Sequence, residues 1–200
     1  MAAWFPLFIN LADEYCVIIG GGPVAARKAR TLLGFGAKLI VIAPEFSETM
    51  EALSPEHNIT LLRRPYAGPE DLEDAETGTK AVLAVAATDD RECNRRVSED
   101  AKGAGIPVNV ADDPELCTFY FPALVKRGDL VGAISTSGDC PRLATRLREE
   151  LERQWPGDIG AFLENLGTER KRLREAHGPA DVIAELDRLI TAYLDHGALP

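Results

Sequence analysis

The chain has 200 residues, of which 22 are Lys or Arg and 32 are Asp or Glu, so its formal net charge at pH 7 is −10. This acidic balance argues against nucleic acid as a partner, because that affinity comes largely from Lys and Arg side chains that neutralise phosphates. No apolar run reaches the roughly 18 residues that a membrane span needs, and the N-terminus lacks the pattern of a secretory signal. We therefore predict a cytoplasmic protein with no nucleic-acid partner and no membrane partner.

Short apolar runs alternate with helical segments in the first half of the chain. Strands are predicted at residues 15–19, 38–43, 59–62, 81–86 and 106–110, with helices at residues 24–33 and 90–104. The apolar runs are continuous rather than alternating, which is typical of strands buried on both faces in a parallel sheet. The predicted fold class is α/β, with a Rossmann-like, doubly wound parallel sheet.

The pattern changes after residue 113. Two β-type runs, at residues 117–121 and 130–135, flank a polar turn at residues 126–129 and predict a small β-rich segment. From residue 141 onward the spacing of the leucines is helical, and breaks at 155–157 and 178–179 divide this tail into three helices. The predicted domains are residues 1–113, 114–140 and 141–200.

A glycine turn joins the first strand to the first helix. Gly20, Gly21 and Gly22, followed by Pro23 and later Ala25, match the pattern G-x-G-x-x-A. Such a turn brings the backbone close to a pyrophosphate, and the start of the helix supplies N–H donors. The pattern indicates dinucleotide binding, the alternative being a purely structural turn.

A ribose-binding carboxylate is expected about 20 residues further on, at the end of the second strand. Pro44 and Glu45 stand there, with Glu45 slightly later than the usual position. No Arg or Lys follows the strand to receive a 2′-phosphate, which favours NAD over NADP.

Polar residues follow the fourth and fifth strands as well. Thr88 and Asp89 lie against a nicotinamide ribose, or one of them caps the next helix, and both can hold together. Asp112 and Asp113, before Pro114, either supply a general base at the same sheet edge or form an ordinary turn.

A polar loop at residues 135–141 precedes the first helix of the tail. Its hydroxyls, including Thr136 and Ser137, and its backbone donors would make an anion cradle, the alternative being a simple helix cap. Lys126 and Arg127 form either a second cationic site or a solvated hairpin tip.

Cysteine and histidine usage gives no sign of a metal site. The cysteines are Cys16, Cys93, Cys117 and Cys140, and the histidines are His57, His177 and His196. The cysteines occur singly and without nearby histidines, so we predict free thiols and no metal. The polar surroundings of the histidines predict surface positions and leave no obvious histidine base.

Five motifs occur in the order found in precorrin-2 dehydrogenases, the dehydrogenase/ferrochelatase module of siroheme synthases. They lie at residues 17–29, 86–97, 109–112, 119–122 and 135–141. The chain resembles this family from about residue 7 to about residue 151, whereas the helical tail is similar only in character. The chain reads Ser-Thr-Ser-Gly from Ser135, where siroheme synthases often read Ser-Ser-Gly-Gly, so a role of the second serine passes to Thr136 or is lost.

The resemblance implies NAD-dependent oxidation of precorrin-2 to sirohydrochlorin by a homodimer, with the β-rich segment in dimerisation. Many members of the family also insert Fe²⁺, as a chelatase substrate, to give siroheme, and the resemblance implies this as a further activity. By position, the cofactor residues are Gly20, Gly21, Gly22, Pro23, Val24, Pro44, Glu45 and Thr88. Asp112 matches the family's acid/base aspartate.

Because this substrate carries many carboxylates, we expect a local cationic rim in an acidic protein. The predicted substrate-binding residues are Lys126, Arg127, Thr136, Ser137, Arg142 and Arg146. The chain stops at Pro200, so we expect no methyltransferase module. The alternatives are a bifunctional dehydrogenase and ferrochelatase, and an NAD-sensing regulatory module without turnover.

Overall fold

The protein is described from a computed structural model, which describes residues 4–55, 58–75 and 77–196. The chain divides into two compact units, Met1–Phe121 and Pro122–Pro200. The surface positions predicted for His57 and for the His196 side chain lie outside the described residues.

The first unit is built on a five-stranded parallel sheet in the order β3-β2-β1-β4-β5. The strands are β1 (Tyr15–Ile19), β2 (Lys38–Ala43), β3 (Ile59–Arg63), β4 (Leu83–Ala86) and β5 (Val108–Val110). The helices are α1 (Pro23–Leu33), α2 (Glu48–Glu51) and α3 (Arg91–Ala104), with 3₁₀ turns at Pro69–Leu72 and Pro114–Leu116. The doubly wound parallel sheet predicted from the apolar runs is confirmed.

Both faces of the sheet are buried. Ile18, Val41 and Val85 belong to a core cluster that also contains residues of α1. Val17, Ile42 and Val108 belong to a second cluster that contains residues of α3. Strands covered on both sides need side chains that are apolar in both directions, which explains the continuous runs in the sequence.

Backbone hydrogen bonds tie the carboxyl ends of the strands together beyond the regular ladders. Gly20 N donates to Ile42 O at 2.9 Å, Ala87 N to Ile19 O at 2.8 Å and Ala111 N to Ala86 O at 2.8 Å. The loops after β1, β4 and β5 therefore leave the sheet along one edge.

The second unit contains an antiparallel hairpin and three helices. The hairpin consists of β6 (Ala123–Arg127) and β7 (Leu130–Ile134), and the helices are α4 (Pro141–Gln154), α5 (Ile159–Ala176) and α6 (Pro179–His196). The three predicted tail helices are confirmed. The Phe162 and Tyr193 rings stack at 3.9 Å and join α5 to α6. Among the helices of the described residues, none has both the length and the hydropathy of a membrane span.

The strand predicted at residues 117–121 is wrong, because the first strand of the hairpin begins at Ala123. Residues 117–121 instead run beside β5 without forming a strand. Thr118 N donates to Val108 O at 2.8 Å, and the Thr118 hydroxyl accepts from Val108 N at 2.7 Å. The Thr118 side chain thus satisfies Val108 N, a group that a β-ladder would otherwise pair. Phe119 and Phe121 pack against the core.

The four cysteines are free in the structure. Cys16 is fully buried on β1, and burial raises the pKa of its thiol to about 11.

Candidate functional site

A cleft of about 580 Å³ lies at the carboxyl edge of the parallel sheet. Three sequence-predicted parts line it: the glycine turn, the end of β2 with Pro44 and Glu45, and the end of β4 with Thr88. Phe46, Ser47, Pro65, Tyr66 and Cys93 also line it. Ligands of open α/β sheets bind outside the carboxyl ends of the strands, so this cleft is the candidate cofactor site.

Gly20 and Gly21 are required by the protein's own backbone. Gly20 has φ +129°, and a Cβ there would stand 2.2 Å from Ala87 O. A Cβ on Gly21 would stand 2.0 Å from Glu45 O. These two glycines let the ends of β1, β2 and β4 converge.

Gly22 differs, because a Cβ there would meet no described atom within 4 Å apart from its chain neighbours. It is the N-cap of α1, and no side chain caps that helix end. Pro23 occupies the first turn, where its missing N–H costs nothing. An open backbone face beside an uncapped helix N-terminus fits the pyrophosphate of a dinucleotide.

The β2 end of the cleft carries the predicted adenosine-side residues. Pro44 and Glu45 are exposed there. Arg63 lies at the end of the neighbouring strand β3, with its guanidinium 5.1 Å from the Phe46 ring centroid. Arg63 also pairs with Glu51 on α2. A basic residue thus stands near this region, although none follows β2 in the sequence.

Thr88 is fixed by its hydrogen bonds with Asn94 on α3. Thr88 Oγ1 donates to Asn94 Oδ1 at 2.8 Å, and Asn94 Nδ2 donates to Thr88 O at 2.9 Å. The N-cap of α3 is Asp90, whose Oδ1 accepts from Glu92 N at 2.9 Å. The helix-cap alternative for Thr88 and Asp89 is therefore wrong, and Thr88 shapes the wall of the cleft.

Asp112 follows β5 and is exposed, but it is not among the residues that line the cleft. Its backbone is left-handed, with φ +59°. The Cys117 thiol supports this loop, because Sγ accepts from Val110 N at 3.2 Å and donates to Asp113 O at 3.3 Å. Burial raises the pKa of Cys117, so the thiol stays neutral as a supporting group.

The remaining predicted residues belong to the second unit. Arg127 pairs with Glu152 at 3.3 Å, and Arg146 pairs with Glu149 at 3.4 Å. Hydrogen bonds from Arg127 and Arg148 lower the pKa of Glu152. Lys126 and Arg142 are exposed.

The loop before α4 is organised by its own hydroxyls. Ser135 Oγ accepts from Ser137 N at 3.1 Å, and Thr136 Oγ1 accepts from Cys140 N at 3.3 Å. The N-cap of α4 is Cys140, whose side chain makes no capping hydrogen bond. The backbone donors at the start of α4 are therefore not covered by a side-chain cap.

Part of the cleft had no signal in the sequence motifs. Phe46, Pro65, Tyr66 and Cys93 come from loops and from the first turn of α3. For Pro65 and Tyr66 one signal existed, because they follow β3, whose carboxyl end lies at the same sheet edge.

Comparison with known proteins adds two family matches. The family model of NAD(P)-binding domains matches residues 7–123. The model of the central region of sirohaem biosynthesis proteins matches residues 127–154.

The chain is similar to curated siroheme synthases. It is 43% identical over 172 residues to one from Ectopseudomonas mendocina, covering 86% of this chain and 34% of that protein. It is 37% identical over 172 residues to one from Nitrosomonas europaea, covering 86% of this chain and 35% of that protein. The chain thus spans about a third of the length of these relatives.

Among solved structures, the fold is similar to that of "SirC, precorrin-2 dehydrogenase". The TM-score is 0.73 at 24% sequence identity, covering 96% of this chain and 92% of that one. This likeness confirms the fold class.

Proposed function

Because the chain belongs to the family of NAD(P)-binding domains and is similar to siroheme synthases, we propose that it is an NAD-dependent dehydrogenase that oxidises precorrin-2 to sirohydrochlorin. The observation that carries the proposal is the shared sheet edge. An open glycine turn follows β1 there, and an exposed aspartate follows β5. A cofactor site and a proton acceptor thus follow strands of the same sheet.

The cofactor would be held by the backbone of Gly22 and the first turn of α1, including Pro23 and Val24. Pro44 and Glu45 would hold the adenosine side, and the fixed Thr88 would lie on the nicotinamide side. When bound, the nicotinamide supplies the acceptor for one hydride. Gly20 and Gly21 bring the three loops together, since each approaches a neighbouring carbonyl closely.

Asp112 would take the proton that the substrate loses with the hydride. The oxidation removes two electrons and two hydrogens, one as hydride to the cofactor and the other as a proton. A carboxylate within reach of the substrate can accept that proton as a general base. The substrate's carboxylates would meet Lys126, Arg127, Thr136, Ser137, Arg142 and Arg146.

We propose NAD rather than NADP, because Glu45 would hydrogen-bond the ribose hydroxyls and repel a 2′-phosphate. The tendency of Arg63 to attract such a phosphate is offset by its pairing with Glu51. Glu45→Gln should therefore weaken NAD binding and narrow the difference between the two cofactors. Titration of both cofactors measures this; an unchanged preference would remove Glu45 as the selecting residue.

The proposed function is tested by anaerobic incubation of the protein with precorrin-2 and NAD. We expect NADH and sirohydrochlorin to appear in equal amounts. NAD binding without any turnover would favour the regulatory alternative instead. Adding Fe²⁺ to sirohydrochlorin and following the spectrum tests the chelatase alternative separately.

Asp112→Asn is the matched variant for the proton step. Asn tolerates the left-handed backbone at this position, so the loop is kept while the carboxylate is lost. We expect kcat to fall by roughly 100-fold or more, with the Kd for NAD unchanged. A nearly normal rate would exclude Asp112 as the base.

We also propose a homodimer located in the cytoplasm. Free thiols are typical of a reducing compartment. Exposed leucines on α4, Leu143 and Leu147, support an interface between two copies.

A further inference from the structure

Lys28 lies on α1, contacts a residue of β5 and is not among the residues that line the cofactor cleft. Its Nζ donates to Asn109 Oδ1 at 2.6 Å. The same ammonium lies 4.2 Å from the centroid of the Phe121 ring. The sequence motifs include Lys28 without assigning it a role.

Asn109 holds its side chain in one orientation. It is buried, and its Nδ2 donates to Phe119 O at 3.0 Å. The Oδ1 atom is thereby turned toward Lys28. This neutral amide oxygen is a poor counterion, and no carboxylate of the described residues lies within 4.0 Å of the ammonium.

The ammonium is poorly compensated where it stands. Burial, together with a smaller effect of the neighbouring Arg27, lowers the pKa of Lys28 to about 8. Cys117 and Asp112 act in the opposite direction. The carboxylate of Asp112 therefore raises the pKa of Lys28, although the two side chains do not form an ion pair. Perturbed groups of this kind are frequent at functional sites.

We propose that the Lys28 ammonium binds a carboxylate of the tetrapyrrole substrate and so holds the macrocycle beside Asp112. This inference rests on the proposed function, which supplies a substrate with many carboxylates. An ammonium has three donors, and Asn109 accepts from one of them. A substrate carboxylate would accept from another and supply the missing negative charge, in a charge-assisted hydrogen bond. The cation–π contact with the Phe121 ring helps to hold the ammonium near Asn109.

Lys28→Gln is the central test. The Gln amide retains a donor for Asn109, whereas the positive charge is lost. Arg30→Gln removes a charge from an exposed position of the same helix and is the matched control. Lys28→Arg retains the charge. The affinity for sirohydrochlorin is measured by tryptophan fluorescence quenching, together with the KM values for precorrin-2 and NAD.

We expect Lys28→Gln to weaken sirohydrochlorin binding by about 10- to 100-fold, as expected for losing a hydrogen bond to a charged group. NAD affinity should not change, and Arg30→Gln should resemble the wild type. Tetrapyrrole affinity of the wild type should fall as the pH rises through about 8, because the ammonium loses its proton. Lys28→Arg should not show this loss, since Arg stays charged.

Binding of sirohydrochlorin by Lys28→Gln within twofold of the wild type would overturn the inference. A wild-type affinity that does not change between pH 7 and 9 would also overturn it, even if Lys28→Gln failed to fold. If the wild type binds sirohydrochlorin through Lys28 but forms no NADH with precorrin-2, the proposed dehydrogenase function fails and the Lys28 site stands. If the wild type turns over precorrin-2 normally and Lys28→Gln binds sirohydrochlorin normally, the Lys28 site fails and the proposed dehydrogenase function stands.

Discussion

The three glycines after β1 differ in what surrounds them. Backbone atoms of neighbouring loops stand where the Cβ atoms of Gly20 and Gly21 would lie, whereas the space around Gly22 is open. Two of the glycines are thus required for folding, and the third leaves room for a ligand. The sequence pattern marks all three without separating these roles.

Gly22→Ala should therefore mainly weaken ligand binding, whereas Gly21→Ala should mainly lower the free energy of unfolding. Gly22→Ala should lower the free energy of unfolding by less than about 1 kcal/mol, the usual cost of Ala at an N-cap. It should weaken NAD binding by roughly tenfold, equivalent to about 1.4 kcal/mol. Urea unfolding and calorimetric titration with NAD measure the two effects.

Gly21→Ala serves as the contrast. Its Cβ would overlap Glu45 O, at 2.0 Å, so the loop after β2 must shift. We expect a loss of about 1–3 kcal/mol in the free energy of unfolding. NAD affinity of Gly22→Ala equal to that of the wild type would show that Gly22 has no ligand-binding role.

At the scale of elements, the residue pattern of a segment predicts a strand or helix correctly where that segment alone determines its structure. The bounds of β2 are predicted to the residue, because its apolar run follows a turn at Gly34 and Gly36 and ends at Pro44. The segment 117–121 was predicted as a strand from its aromatic residues. Its structure depends instead on Thr118 and Asn109, whose side chains bond to backbone groups of the neighbouring segment. Such side-chain contacts leave no periodicity in the sequence.

The candidate site shows the same division. The glycine turn and Glu45 are recognisable because their residue types and spacing follow from the chemistry of a dinucleotide. Tyr66 and Lys28 have no such spacing, since only the fold brings Tyr66 to the cleft and Lys28 to Asn109 on β5. The three-part domain division at residues 113 and 140 stays a prediction.

The connection between β3 and β4 contains a partly buried ion pair between Arg64 and Asp71. Asp71, only 5% exposed, accepts from Arg64 at 2.5 and 2.9 Å and from Ala67 N at 2.8 Å. Burial alone would raise the pKa of Asp71, but the hydrogen bonds from Arg64 and Ala67 outweigh it and lower the pKa. The ionised carboxylate therefore stabilises this connection.

Asp71→Asn should lower the free energy of unfolding at pH 7 by about 2 kcal/mol, a moderate value because Arg64 is partly exposed. A carboxylate with a lowered pKa stabilises the fold above its unfolded pKa of about 3.9. That contribution is lost as the pH falls through the folded pKa.

The difference between wild type and Asp71→Asn should therefore shrink below about pH 4. Denaturant unfolding at several pH values measures it. The control is Glu70→Gln, an exposed neighbour that should change stability by less than about 0.5 kcal/mol. A difference that persists unchanged at pH 2 would contradict the ionic role of Asp71.

At the scale of the whole molecule, an acidic protein has to bind the anionic substrate that we propose for it. The net charge of −10 still argues against nucleic acid. Several basic side chains are paired with carboxylates, as Arg127 is with Glu152 and Arg63 with Glu51. Lys28 has no such partner within the described residues, which makes it a candidate for recognising a carboxylate.

The proposed dimer also belongs to this scale. Leu143 and Leu147 stand one turn apart on α4 and are 49% and 45% exposed. If they lie between two copies, changing both to Lys should convert the dimer to a monomer of 21.7 kDa. Light scattering after gel filtration measures the mass. A double variant that stays dimeric would exclude this helix face from the interface.

The hydrogen bonds from Ala87 N to Ile19 O and from Ala111 N to Ala86 O lie where the loops after β4 and β5 leave the sheet. We expect amides bonded in this way to exchange with solvent mainly when the strand ends separate. Heating should abolish cofactor binding and the exchange protection of these two amides in a single transition. A change that raises the unfolding temperature of the sheet should therefore raise the temperature at which cofactor binding is lost by the same amount.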